Sequence, residues 1–252
     1  MGAGEDYEMK LEVITAIEDS GIKTPHHIPV DVYIQEADTL YHWCQVDKEA
    51  LTAVGLSWEL VEDLPIRIGA LTRAESLWYI QRNTRDEAAG KWAEKSPLAY
   101  DLRNRVLKAF RFAFRRHPDV LTKLRVIAKA KGHPGLIQGL NDLAVIGNDN
   151  LDLLKAINLD MSLPDKAAQT ADETAVLLAE VTASKAEYSK TKKIRDQAYT
   201  HLKAAVDEIR EYGQYVFRQN KERFNGYRSY YVHLLNKKGG KVPQEPESVT
   251  AE

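Results

Sequence analysis

Residues 194–216 read IRDQAYTHLKAAVDEIREYGQYV, and Ile194, Ala198, Leu202, Ala205, Ile209, Tyr212 and Val216 recur through them at three- and four-residue steps. That spacing returns side chains to one face of an α-helix, whereas a half-buried strand needs strict alternation. No longer amphipathic pattern occurs in the chain, and alternation is scarce elsewhere. The expected fold is all-α, an elongated antiparallel helical bundle.

Working outward, Asn225-Gly226 is an expected stop or kink, followed by a short aromatic helix. Residues 237–252 are poor in apolar side chains and contain Gly and Pro, so a disordered tail is expected. Upstream, a helix opens near Asp165 and is expected to pause around Tyr188 to Lys192. Asn158 to Pro164 reads as a connector, and Leu136 to Ile146 and Asn148 to Ile157 as helices. Gly132-His133-Pro134-Gly135 is the clearest punctuation. Before it, His117-Pro118 and Ser96-Pro97 each read as a helix start, because the residue preceding proline disfavours helical geometry. Pro65 opens another helix from within its first turn. Further helices are expected over about Glu5 to Asp19, from Val30 through Cys44, and from Asp47 to Gly55.

The predicted organisation is an N-terminal helix and connector over 1–28, then helical halves over 29–131 and 132–236. The order of helix lengths is similar in both halves, which suggests two tandem copies of one multi-helix unit. Sliding the chain by 103 positions sets Ile34-Gln35 on Ile137-Gln138, Leu40 on Leu143, Leu51 on Leu154 and Ala53 on Ala156. A slightly smaller slide sets Ala99-Tyr100 on Ala198-Tyr199. The competing explanation is that amphipathic helices resemble one another because they share a period and a small apolar alphabet.

With 252 residues, 44% of them hydrophobic, the chain can bury a core. Its single cysteine, Cys44, cannot form an internal disulfide, and MGAGEDYEMK has no basic stretch leading into an apolar one. A cytoplasmic setting without membrane insertion is therefore expected. Asp6 stands where a myristoylation signal would carry Ser or Thr.

The net charge of −2 hides a segregation. Arg103 to Lys131 holds ten Lys and Arg against Asp119 alone, and Lys190 to Lys238 holds twelve against five acids. On a helical wheel Arg105, Lys108, Arg111 and Arg115 oppose Leu98, Leu102, Val106, Phe110 and Ala113, with Phe112 among the basic side chains. A basic face carrying an aromatic suits nucleic acid or an anionic surface, although such charge also pairs internally or simply faces water. Near the C-terminus Tyr215, Tyr227, Tyr230 and Tyr231 interleave with Arg218 and Arg228. Tyrosine and arginine are enriched where proteins meet, because they bury area while keeping a polar end.

Common chemistries are missing. The chain has no Glu-x-x-His for a two-metal site, no Gly-rich phosphate loop and no Gly-x-Ser-x-Gly elbow. Asn148, Asn150 and Asp152 imitate a calcium loop, but Leu153 stands where glycine is needed. His26, His27, His42 and Cys44 have zinc-ligand types without zinc-ligand spacing. The expectation is a non-enzymatic interaction or scaffold module without a cofactor or metal, acting by protein–protein contact or self-association. Nucleic-acid or anionic-surface binding is the alternative, and an enzyme with a site between the halves a lesser one.

Overall fold

The computed structural model describes residues 2–237, and among them every regular element is helical, as the periodicity predicts. The expected tail lies outside the described residues, except that Lys237 ends the last helix. The helices are α1 (Ala3–Thr15), α2 (Val30–Val46), α3 (Lys48–Ala53), α4 (Trp58–Glu62), α5 (Leu64–Ala113), α6 (Pro118–Lys129), α7 (Gly132–Asp149), α8 (Leu151–Lys155), α9 (Leu163–Val216), α10 (Lys221–Gly226) and α11 (Tyr230–Lys237).

Two expected breaks are overruled. Ser96-Pro97 does not start a helix, because Pro97 lies inside α5. The proline frees the carbonyl of Ala93, but both residues are exposed, so water can take up that hydrogen bond. Nor does the chain pause at Tyr188 to Lys192. Between Asp165 and Tyr212 no Gly or Pro interrupts α9, and the Arg85 guanidinium stacks over Tyr188 with its carbon 4.0 Å from the ring centre. At the other end α9 stops at Val216, ahead of Asn225-Gly226, which closes α10 instead.

The chain forms two compact units. Unit 2 is Gln81–Tyr188, and unit 1 comprises the residues up to Ile80 together with those from Ser189 on. Gly132, the expected boundary between halves, therefore lies within unit 2, where it opens α7 at a φ of 74° that glycine adopts without a side-chain clash. Unit 1 takes the first part of α5 and the last part of α9, and unit 2 takes the remainder of both.

A shift of 103 residues nevertheless carries Val30–Val46 onto α7, Lys48–Ala53 onto α8, the end of α5 at Ala113 onto the end of α9 at Val216, and Pro118 of α6 onto Lys221 of α10. Burial follows the same shift. Tyr33 and Leu136, Ala37 and Leu140, Leu40 and Leu143, Leu51 and Leu154, Val106 and Ile209, and Leu124 and Tyr227 are buried at both positions. The smaller slide for Ala99-Tyr100 is not needed, since Ala99 and Leu202 are both buried at 103.

Each core is close-packed by trading volume between corresponding positions. In unit 2 the ring of Phe110 fills the space over Gly147, where a Cβ would come 2.9 Å from its Cζ. In unit 1 the counterpart of Phe110 is Gly213, and the ring of Tyr227 lies directly on it, leaving no room for a methyl group. Arg103, buried in unit 2, donates to the carbonyls of Ile127 and Ala130 and so satisfies the end of α6.

α1 is tied into unit 1 by Lys10, whose ammonium lies 2.6 Å from Asp63, and Arg67 holds the same carboxylate at 2.7 Å. Arg67 also donates to the carbonyl of His201 at 2.9 Å. Burial, reinforced by the Arg67 and Lys10 charges, pushes the His201 imidazole down from 6.5 to about 4, with Asp63 opposing only in part.

In urea titrations Gly213→Ala should destabilise the protein by about 1–3 kcal/mol, as expected for overpacking. Gly90→Ala, at an exposed site in α5 with open space around it, should stabilise by about 1 kcal/mol. The unfolded chain protonates His201 near pH 6.5 while the folded chain does so only near 4, so stability should fall as pH drops through that window. His201→Gln should flatten the urea midpoint between those two pH values.

Candidate functional site

Helix α2 has two working faces. Tyr33, Ala37, Leu40 and Cys44 enter the core of unit 1. The adjoining face carries Val32, Glu36, Thr39 and Trp43, which one helical turn after another brings into line. Opposite them the chain returns through α10 and α11, and between the two runs a groove of about 690 Å³ whose far wall carries Arg228, Tyr230, Tyr231 and Leu234. Gly226 is set against Trp43, with space for a Cβ only 2.9 Å from the indole, so the α10 terminus seats directly on that ring.

Two carboxylates of the α2–α3 region hold this arrangement. Glu36 accepts from Arg210 of α9 at 2.9 Å, from the Ser229 hydroxyl at 3.0 Å and from the Tyr231 backbone N–H at 2.8 Å. Asp47 accepts from the Tyr227 hydroxyl at 2.8 Å and from the Arg223 guanidinium. Burial holds the Tyr227 phenol well above its ordinary value, so it remains a donor. Helix α11 has no fully buried residue, and its attachment therefore leans on Glu36.

The expected partner-facing residues separate. Arg228, Tyr230 and Tyr231 meet at the groove, with Tyr230 68% exposed. Tyr215 and Arg218 stack together at the exposed end of α9, 5.0 Å apart. Tyr227 is corrected outright: it is 0% exposed, stacked on Phe217, and belongs to the core. Absent from the expectation is the whole α2 wall. Its signal was a tryptophan seven residues after a glutamate beside an apolar stripe, a helical repeat that the stronger core pattern of α2 masked.

In unit 2 Arg105, Lys108, Arg111, Phe112 and Arg115 are all exposed, and Arg115 stacks over Phe112 at 4.5 Å. Arg105 pairs with Asp101 at 3.0 Å. Among the described residues no acid pairs with Lys108, Arg111 or Arg115. Leu98, expected on the buried face, is 62% exposed and instead borders an apolar groove of about 740 Å³ with Val176 and Leu177. The buried positions of this stretch are its neighbour Ala99 and, one turn on, Leu102.

The zinc-type grouping is dispersed. His42 is exposed, whereas Cys44 is fully buried, with burial pushing its thiol up to about 12. Among the described residues no three His, Cys, Asp or Glu side chains gather closely enough to hold a metal ion, and no helix is long and apolar enough to cross a membrane.

Removing Glu36 would strand the Arg210 guanidinium in a site where both side chains are nearly buried. Glu36→Ala should cost about 3 kcal/mol and accelerate hydrogen exchange at Tyr231 and Val232 ahead of the α9 amides. No family model, curated protein or solved structure matches this chain.

Proposed function

We propose that the protein is a non-enzymatic interaction module that holds an apolar segment of a protein partner in the unit 1 groove. The observation carrying this reading is the groove wall of exposed Tyr230 with half-buried Tyr231 and Leu234, facing Trp43 across about 690 Å³. Such a volume takes several side chains of a helix or strand. Glu222 and Arg228, both exposed, border it with opposite charges, which suits a segment flanked by one basic and one acidic residue.

The recurrence at 103 residues supports reading the chain as a duplication in which one copy specialised. On α7 the positions of Glu36 and Trp43 are taken by Gly139 and Ile146. Arg103 fills the space over Gly139, where a Cβ would come 3.0 Å from its Nε. The carboxylate and indole that shape the groove therefore have no counterparts in unit 2.

The second reading is binding of nucleic acid or an anionic surface by unit 2. It is favoured by Phe112, 59% exposed and flanked by cations, an arrangement on which a base can stack.

A photo-crosslinking amino acid placed at position 230, and separately at 112, distinguishes these readings. Position 230 should crosslink to a short apolar stretch of a protein, mapped by mass spectrometry, and Leu234→Glu should abolish the product. A crosslink to a second copy of this chain would make the module self-associating. Nucleic acid captured at position 112, with recovery falling steeply as salt rises and lost in Arg111→Glu, would favour the second reading. Failure of position 230 to capture protein would overturn the first.

A further inference from the structure

The two long helices end alike. Phe112 is the last residue but one of α5 and Tyr215 the last but one of α9, and both rings lie largely open to water, at 59% and 61% exposure. Two residues beyond each helix an arginine folds back over the ring. Arg115 stacks on Phe112 with its guanidinium carbon 4.5 Å from the ring centre, and Arg218 stacks on Tyr215 at 5.0 Å. Each also donates to the backbone carbonyl of the residue it covers, at 2.9 and 3.1 Å.

Packing does not require this likeness. At buried positions the shift of 103 matches Phe110 with Gly213 and Leu124 with Tyr227, so likeness of residue is not the rule even in the core. Donation to a free carbonyl at a helix end accounts for the two guanidinium groups. It does not account for the rings, each of which keeps a large apolar surface in water.

Beside the rings the charges are opposite. Lys108 and Arg111 precede Phe112 on one face of α5, and all three are exposed. Glu208 and Glu211 precede Tyr215 on one face of α9 and are exposed as well, with Glu211 at the position that corresponds to Lys108. Arg105 and Asp207 nearby are already paired, with Asp101 and Lys203. Among the described residues no acid pairs with Lys108 or Arg111, and no cation pairs with Glu208 or Glu211. The chain therefore presents one aromatic beside two unmatched cations and another beside two unmatched anions. A phosphate backbone or an anionic membrane suits the first face and is repelled by the second. A second copy of the chain suits both, because it brings acids to the first face, bases to the second and a ring to each.

We propose that the α5 face carrying Lys108, Arg111 and Phe112 docks on the α9 face carrying Glu208, Glu211 and Tyr215 of a second copy. The two faces differ, so every copy brings both halves of the contact. The groove takes no part in it, and the contact stands independently of the interaction-module reading.

The test is sedimentation velocity of the full chain over a range of concentrations. At low salt the mass should rise above that of the monomer as concentration increases, and it should fall back when added salt screens the charges. Lys108→Glu with Arg111→Glu, and separately Glu208→Lys with Glu211→Lys, should each weaken association about tenfold. Mixing these two variants should restore it, since one then offers two acidic faces and the other two basic ones. Glu12→Lys with Glu49→Lys makes the same change of net charge at exposed sites elsewhere in unit 1 and should associate like the wild type. A chain that stays monomeric at every concentration in low salt would overturn the proposal. So would a reversed variant that associates like the wild type, or a mixture that associates no better than its components.

Discussion

Glu36 is a charge taken largely out of water, and it is tolerable there only because Arg210 neutralises it and two further donors occupy its other oxygen. These partners come from α9, from the Ser229 turn and from the first residues of α11, so one carboxylate of α2 fixes three parts of the chain. Without it α11, which has no fully buried side chain, would have little to hold it against α2. The groove owes its far wall to that attachment.

Helical periodicity in 194–216 was sufficient to read the fold class, because an apolar stripe at that spacing has one economical solution in water. Termini were harder to read. Ser96-Pro97 carries a sound local signal for a helix start, and tertiary context overrode it where proline and freed carbonyl both face solvent. Part of the groove was legible in Arg228, Tyr230 and Tyr231. Trp43 and Glu36 were not, since their roles depend on a helix nearly two hundred residues away in sequence. Tyr227 illustrates the converse: among several C-terminal tyrosines, only the glycine at 213 marks the one that is drawn inward.

The recurrence at 103 residues was faint in sequence for a related reason. What corresponds is burial rather than identity: Phe110 stands opposite Gly213, Leu124 opposite Tyr227 and Cys44 opposite Gly147. A core is constrained by total volume, so a ring on one helix can fill the space over a glycine on its neighbour, and burial can correspond where residue identity does not.

Unit 2 is a single uninterrupted stretch, whereas unit 1 is assembled from both ends of the chain. During synthesis the residues of unit 2 are all present before Leu202, Val206, Ile209 and Tyr227 exist to cover Leu64 and Leu71. The contiguous core can therefore close first, while the earlier-made α2 and the start of α5 wait with an apolar face in water. With that order the N-terminal helices are made first and covered last, which leaves their apolar face open to association with other chains in the interval.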